Sequence, residues 1–265
     1  TRLGVSFDVT YGESHYNDML QPLVDGLLAQ GVAEVSEGAV IIPFDKSDGK
    51  GLKDQPFLIR KKDGAALYGT TDLATVRFRL DTWAPKRVLY VTDTRQQLHF
   101  KQLFAATNKL GWNQAELVHV WFGLLSLPEG NMSSRSGNVI HLKALLDAAV
   151  DKAREIVDMK SAELPDEERA LVAEAVGVSA VRYADLSQNP QANVVFDWDK
   201  MMAMEGNTAP FLMYGHARLR SIQRKEALQH IVTEHGPVND AERELTTLLL
   251  RFPSVVPAAL EANRP

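Results

Sequence analysis

Apolar and polar positions alternate in two ways along the first half of the chain. Helical spacing of apolar residues predicts helices over residues 16–30, 71–83 and 96–110. Short, uniformly apolar runs predict strands at 39–42, 57–59, 87–91 and 117–122. The last two strands enclose a helix, so we expect them to pair in parallel inside an α/β domain. A polar turn separates the first two strands and predicts an antiparallel hairpin.

After His141 the helical pattern dominates, and only the segment 194–196 has the apolar character of a strand. The predicted helices cover residues 143–160, 165–187, 199–205 and 208–233, and a further one starts at 240 and reaches at least 250. The expected fold class is therefore α/β, with part of a parallel sheet followed by an all-α region.

Composition narrows the class of protein without identifying it. The 265 residues carry a net charge of -5, so no overall basic field indicates nucleic acid and any RNA contact must be local. Cysteine is absent, which excludes disulfides and thiolate metal sites, and the histidines show no metal-ligand spacing. No apolar run approaches the roughly 18 residues of a membrane span, and no signal peptide is recognised. We expect a cytoplasmic protein without a membrane partner or bound metal.

A hydroxyl-rich loop is predicted between the last apolar strand and the following helix. Residues 131–138 read Asn-Met-Ser-Ser-Arg-Ser-Gly-Asn, with one cation and with residue types that tolerate a positive φ. A loop at the carboxyl end of a sheet strand is suited to binding the oxygens of a polyphosphate. An ordinary surface turn is the alternative interpretation of this loop taken alone.

Tyr68 and Asp72 lie four residues apart where a helix is predicted to begin. If the first turn is formed, their side chains point the same way. The carboxylate could then accept a bidentate guanidinium group while the aromatic ring covers it from water. Helix capping is the alternative, with Thr70 or Thr71 as the N-cap and Asp72 serving the helix dipole.

Polar residues also follow the strand 87–91, at the position where α/β folds place ligand contacts. Gln96, His99 and Gln102 would share one helix face by their three-residue spacing. A capped helix start with a hydrogen-bonded histidine is the alternative interpretation.

A basic stripe follows Asn207 in the predicted helix of the second half. Arg218, Arg220 and Arg224 could contact a phosphate backbone there. A solvated helix face is the alternative, which charge alone favours.

Taken together, these segments resemble arginyl-tRNA synthetases over nearly the whole chain. The segments that carry the resemblance occur in the family's order, at residues 67–74, 90–100, 132–138, 183–189 and 196–210. The resemblance implies a class I synthetase with a nucleotide-binding, Rossmann-like sheet. Such an enzyme activates arginine with ATP, with Mg²⁺ expected, to arginyl-adenylate and transfers it to the 3′ end of tRNA(Arg).

The resemblance also implies roles for single residues in arginine binding and at the adenine. Tyr68 and Asp72 match the family's guanidinium receptor, and Gln96 matches a further contact to the arginine. The backbone at the end of the last strand, residues Phe122, Gly123 and Leu124, would form the adenine edge.

The hydroxyl-rich loop matches the family's second ATP motif, whose common class form is Lys-Met-Ser-Lys-Ser. Asn131 and Ser134 replace the two lysines, a departure that leaves the neutralisation of the phosphates open. Met132, Ser133 and Arg135 would contact ATP. Arg135, with the hydroxyls of Ser133 and Ser134, would act on the leaving pyrophosphate.

By the same resemblance the chain is divided into three parts. Residues 1–140 would be the second half of the catalytic domain, 141–206 a helical connector like a stem-contact region, and 207–265 the truncated start of an anticodon-binding domain. The class's first ATP motif, His-Ile-Gly-His or a variant, does not occur in the 265 residues. We therefore expect an inactive fragment, truncated at both ends, that self-associates.

Two alternatives stay open. The chain could be a non-catalytic synthetase-like module that binds a nucleotide or RNA or serves in assembly, or a class I synthetase of another specificity.

Overall fold

The computed structural model describes residues 1–127, 130–131, 141–225, 236 and 239–264. The chain forms two compact units. One is Ser6–Phe122, called the α/β unit below, and the other combines Thr1–Val5 with Gly123–Pro265 and is called the helical unit.

The α/β unit combines a three-stranded antiparallel sheet, a parallel strand pair and helices that cover them. Its helices are α1 (Asn17–Ala29), α2 (Tyr68–Trp83) and α3 (Gln97–Lys109), with short 3-10 turns at Glu13–Tyr16 and Thr94–Gln96. Its strands are β1 (Glu34–Ser36), β2 (Ala39–Ile42), β3 (Phe57–Arg60), β4 (Arg87–Asp93) and β5 (Glu116–Phe122).

Strand pairing in this unit follows the sequence prediction. β4 and β5 pair in parallel from Arg87 opposite Glu116 to Asp93 opposite Phe122, so the predicted parallel pair is confirmed. β2 and β3 pair antiparallel, as predicted for the hairpin, and β1, which the sequence pattern did not reveal, adds to the free side of β2. The parallel pair therefore presents the carboxyl ends of both strands at one edge.

The core of the α/β unit joins both sheets to the helices. Its most completely buried side chains come from α1, β2, β3, α2 and α3: Leu27, Ile42, Ile59, Leu73 and Leu103. Each such side chain stabilises the fold by about 1.5–3 kcal/mol through apolar burial. α2 and α3 are thus held at fixed places against the sheets.

The start of α2 lies unusually close to β3. A Cβ atom on Gly69 would be 2.8 Å from the Phe57 ring and 3.0 Å from the Leu58 carbonyl oxygen, closer than real contacts allow. The Thr70 hydroxyl donates to the carbonyl of Ile59 in the same strand. Glycine therefore lets α2 begin at this position without displacing β3.

α3 is anchored on the segment that precedes β3. The Gln102 side-chain amide donates to the carbonyl of Gln55 at 2.9 Å, and Lys109 Nζ lies 2.9 Å from Asp48 Oδ2. These contacts fix the middle and the end of α3, so the position of its first turn is also determined.

The helical unit consists mainly of helices. They are α4 (Leu142–Lys160), α5 (Asp166–Leu186), α6 (Trp198–Met202), α7 (Ala209–Lys225) and α8 (Asp240–Ala262). Its short strands are β6 (Leu125–Leu127), β7 (Gly130–Asn131) and β8 (Val194–Val195). β8 pairs in parallel with β6, which confirms the predicted strand character near residue 194.

Close packing of α4 and α5 centres on Gly177, where a Cβ atom would lie 2.7 Å from backbone atoms of Val150.

The amino-terminal segment is tied to the same two helices through Arg2. Its guanidinium lies 2.6 Å from Asp147 on α4 and 2.8 Å from Glu174 on α5. The first five residues thus belong to the helical unit by ion pairing.

α8 is a long and largely apolar helix. Over an 18-residue window its mean hydropathy is 1.2, so it is long and apolar enough to cross a membrane by length and composition. Among the described helices it is the one that meets these criteria, which by itself is weak evidence of a span. The helix continues past the predicted Leu250 through Pro253 and Pro257, and its apolar side chains are exposed.

Replacing Gly69 by alanine should destabilise the protein, because the new methyl group meets the Phe57 ring and the Leu58 carbonyl. We expect a loss of about 1–3 kcal/mol in the free energy of unfolding, measured by urea denaturation. Gly26→Ala in α1 is the matched control, since its Cβ would meet only the end of the Gln30 side chain. That change should stabilise by about 0.5–1 kcal/mol. Equal stabilisation by both changes would contradict the close contact.

Candidate functional site

α2 begins earlier than the sequence predicted, and this decides the environment of Asp72. Leu67 is the N-cap residue, with extended backbone angles, and Tyr68 is the first residue of the helix. The Thr70 hydroxyl accepts a hydrogen bond from the Leu67 N–H at 3.4 Å. Asp72 therefore lies beyond the first turn, which holds no acidic residue. The capping alternative, with Thr70 or Thr71 as N-cap, is not what the structure shows.

Tyr68 and Asp72 stand one turn apart on the same face of α2. The Tyr68 side chain is exposed, with 71% of its surface accessible. The Asp72 carboxylate is 33% exposed and so partly withdrawn from water. This arrangement offers a carboxylate acceptor next to an accessible aromatic ring, which is a suitable pair for a planar cation.

Asp93, at the end of β4, caps the 3-10 turn that leads into α3. Its Oδ1 accepts the Arg95 backbone N–H at 2.8 Å and caps the 3-10 turn. The Arg95 guanidinium lies 2.5 Å from Asp93 Oδ2 and holds the pKa of that carboxyl below its usual range. The capped helix start expected as one alternative is present here.

His99 connects the two helix starts. Its Nε2 lies 2.6 Å from Asp72 Oδ2, so α3 and α2 meet through a side-chain hydrogen bond. Gln96 lies three residues before His99 and is exposed. Gln96 ends the 3-10 turn and is the N-cap residue of α3, so the single helix face predicted for Gln96, His99 and Gln102 does not include Gln96. The structure thus brings the elements that carry Tyr68, Asp72 and Gln96 together within the α/β unit.

The sequence indicated His99 as a candidate site residue but did not reveal that it hydrogen-bonds to Asp72. Asp72 lies 27 residues away along the chain, and no local spacing indicates that the two side chains meet. Gln102, the third residue of the predicted face, serves the anchoring of α3 on Gln55.

A second histidine lies next to His99. The His119 ring on β5 stacks on Phe100 with centroids 4.4 Å apart, and its Nε2 lies 2.8 Å from the Thr92 hydroxyl. Burial lowers the pKa of His119, and the nearby His99 lowers it further. The two histidines therefore share Phe100 but have different hydrogen-bond partners.

The predicted adenine edge has most of its backbone donors engaged. The Gly123 N–H donates to the Pro190 carbonyl at 2.8 Å. The Leu124 N–H donates to Asn193 Oδ1 at 2.8 Å. A Cβ on Gly123 would lie 2.1 Å from the Ala192 carbonyl oxygen, so only glycine permits this approach. The glycine therefore has a packing role that the sequence did not indicate.

Phe122, the last residue of β5, has an exposed ring. The ring is therefore accessible to an adenine at this edge, whereas the N–H groups of Gly123 and Leu124 are already hydrogen-bonded.

The residues predicted to contact the phosphates lie outside the described part of the chain. This applies to Met132, Ser133, Ser134 and Arg135, while Asn131 ends the short strand β7. Among the described residues no group of three His, Asp or Glu side chains could hold a metal ion.

The basic stripe of α7 is exposed. Arg218 donates to the Tyr214 hydroxyl at 3.3 Å, and Arg220 donates to Gln223 Oε1 at 3.0 Å. These partners are neutral, so the two guanidinium groups keep their charge for an anion. Arg224 lies one turn beyond Arg220 and is exposed as well. The stripe is compatible both with a phosphate contact and with a solvated face.

A cavity of about 530 Å³ lies in the helical unit, apart from Tyr68, Asp72 and Gln96. Its lining includes residues of the sequence segments 183–189 and 196–210. Tyr183 donates to Asn207 Oδ1 at 2.5 Å and links these two segments. The two segments therefore border the same cavity.

Comparison with known proteins gives a consistent result. The family model described as tRNA synthetases class I (R), catalytic domain, matches residues 1–198. An arginine–tRNA ligase of Fusobacterium nucleatum is 47% identical over 268 residues, which cover the whole chain and 46% of that protein. The ligase of Chloroflexus aggregans is 43% identical and covers 96% of the chain. The chain spans about half the length of these relatives.

Solved structures show the same fold. The arginyl-tRNA synthetase of Thermus thermophilus superposes with a TM-score of 0.86 at 24% identity, over the whole chain and 50% of that structure. The enzyme of Plasmodium falciparum gives a TM-score of 0.80 at 25% identity, over 98% of the chain and 44% of that structure. The fold, the matched catalytic-domain model and the relatives agree, and the chain belongs to the class I arginyl-tRNA synthetase family, the arginine–tRNA ligases.

Proposed function

We propose that this chain carries the arginine receptor of an arginine–tRNA ligase, with Tyr68, Asp72 and Gln96 as its contacts. The intact enzyme would activate arginine with ATP to arginyl-adenylate and transfer the arginine to the 3′ end of tRNA(Arg). The observation that carries the proposal is the Asp72 carboxylate, partly buried beyond the first turn of α2 and held by His99.

Asp72 suits a guanidinium better than an ammonium group. A guanidinium presents N–H donors in a planar fork that matches both oxygens of a carboxylate, whereas lysine offers a compact point charge. The exposed Tyr68 ring one turn earlier could lie over the planar cation and exclude water. A shorter or singly bonding amine would leave carboxylate acceptors unpaired, which raises the selectivity for arginine.

The ATP site is proposed from the motif loop and the end of β5. Arg135 would neutralise the charge that develops on the leaving pyrophosphate, helped by Ser133 and Ser134, since the two class lysines are replaced. Met132 would contact the nucleotide. Mg²⁺ would arrive with ATP and be held largely by its phosphates.

At the adenine, the exposed ring of Phe122 would provide the contact surface. The backbone N–H groups of Gly123 and Leu124 already donate to Pro190 and Asn193, so the base would meet other atoms of these two residues.

We propose further that the chain divides as the resemblance implies, at about residues 140 and 206. The exposed arginines of α7 would then contact tRNA from the start of the anticodon-binding part. The enzyme would act in the cytoplasm, where arginine, ATP and tRNA are available together.

The 265 residues by themselves are proposed to be inactive in adenylate formation, because they contain no His-Ile-Gly-His motif. Exposed apolar side chains on α8, among them Leu250 and Phe252, favour self-association of this stretch in isolation.

Replacing Asp72 by asparagine should weaken arginine binding by at least ~2 kcal/mol, because the guanidinium loses a partly buried charged acceptor. The measurement is the arginine KM in ATP–pyrophosphate exchange, made on the ligase that contains this chain. Asp81→Asn is the matched control, since Asp81 lies on the same helix and pairs with Arg77 at the surface. An arginine KM that is the same in both variants would rule out Asp72 as the receptor.

Replacing Arg135 by alanine should lower kcat of the exchange about 10²–10³-fold, because a charge that stabilises the leaving pyrophosphate is removed. The arginine KM should change little, since the residue is assigned to the other substrate. Retention of full kcat would show that the phosphates are neutralised elsewhere. A protein that binds both substrates without any exchange in the presence of tRNA(Arg) would instead be a non-catalytic module.

Replacing Arg218, Arg220 and Arg224 by glutamine should weaken tRNA binding uniformly across sequences. Each lost phosphate contact should reduce the slope of log K against log salt by roughly 0.7–0.9. Filter binding at several salt concentrations measures the slope, with the surface residue Arg77→Gln on α2 as the control. Identical slopes in the two proteins would favour the solvated-face interpretation.

A further inference from the structure

Among the described residues, the Asp72 carboxylate is held on one side only. Its Oδ2 lies 2.6 Å from His99 Nε2, while the structure records no ion pair of Asp72 with a lysine or arginine among the described residues. A carboxylate has about four lone-pair sites, so one hydrogen bond leaves most of its accepting capacity in place. Oδ1 in particular is left to accept a ligand.

The ring of His99 is itself held in place by aromatic neighbours. The Phe57 ring of β3 lies 5.6 Å away with an interplanar angle of 59°, and Phe100 makes an edge contact at 5.3 Å. The side chain is 24% exposed, so little of it can move freely in water. The imidazole therefore provides a fixed donor for Asp72.

The charge of the group that donates to Asp72 matters, because Asp72 is proposed to bind a cation. A lysine or arginine at this place would neutralise Asp72 and repel the substrate guanidinium. The neutral form of imidazole, in contrast, donates an N–H without adding positive charge. A histidine can thus orient the carboxylate while its negative charge remains available to the arginine.

On this basis we propose that His99 is a positioning residue for arginine, which orients Asp72 so that its second oxygen meets the guanidinium. This inference rests on the proposed role of Asp72. Holding the carboxylate before the substrate arrives removes part of the ordering cost of binding, and the loss of such order typically weakens binding about 3- to 10-fold.

His119 provides a comparison within the same fold. It contacts the same Phe100 ring, but its hydrogen-bond partner is Thr92. A change at His119 therefore tests the effect of disturbed packing near Phe100 without removing the donor to Asp72.

The experiment uses the ligase that contains this chain, with His99→Leu to remove the donor and His99→Gln to supply an amide N–H near the position of Nε2. Arginine KM, ATP KM and kcat are measured in ATP–pyrophosphate exchange, together with the thermal midpoint. We expect His99→Leu to raise the arginine KM about 3- to 10-fold with an unchanged ATP KM. His99→Gln should restore most of the arginine affinity, and His119→Leu should leave the arginine KM unchanged.

An unchanged arginine KM in His99→Leu, in a background where Asp72→Asn raises it, would overturn the role of His99 and leave Asp72 as the receptor. Equal effects of the leucine and glutamine variants would also overturn it, because a general structural defect would then explain the loss. If Asp72→Asn has no effect either, the receptor itself is wrong and the role of His99 falls with it. Should His99→Leu fail to fold, His99→Phe takes its place in the same comparison, because it keeps an aromatic ring against Phe57 and Phe100 but has no donor for Asp72.

Discussion

The close contact between the start of α2 and strand β3 determines where the candidate receptor lies. Gly69 permits this approach because any Cβ there would collide with the Phe57 ring and the Leu58 carbonyl. Thr70 adds a hydroxyl contact to the Ile59 carbonyl, and its oxygen also satisfies the Leu67 N–H. A helix fixed in this way begins at Tyr68, which carries Asp72 past the first turn. The carboxylate is therefore free of the capping role that its sequence position favours.

A second constraint acts from α3. That helix is anchored by Gln102 and Lys109 on the segment before β3, so His99 reaches Asp72 from a helix that is tied to the same part of the fold as α2. α2 and α3, which both contact the region of β3, are thus joined by the hydrogen bond between Asp72 and His99. Preorganisation of this kind depends on the supporting contacts as much as on the residues that meet the substrate.

The helical unit shows that a sequence motif can serve packing as well as ligand binding. Gly123 lies in a segment that resembles an adenine contact, yet its N–H is bonded to Pro190 and its Cα faces the Ala192 carbonyl. The segments 183–189 and 196–210 likewise border one cavity and are joined by Tyr183 and Asn207. Resemblance identified these segments, whereas the structure shows that they border the same cavity.

The amino-acid sequence by itself determined the alternation of strands and helices, the parallel pair β4 and β5, and the family, since apolar periodicity and ordered motifs are local properties of the chain. Through the family resemblance it also indicated Tyr68, Asp72 and Gln96 as a candidate receptor. Only the tertiary structure decided where α2 begins, which partner His99 has, and which N–H groups near Gly123 are occupied. Each of these depends on atoms brought together from distant positions, and a hydrogen bond across 27 residues leaves no periodic signal in the sequence.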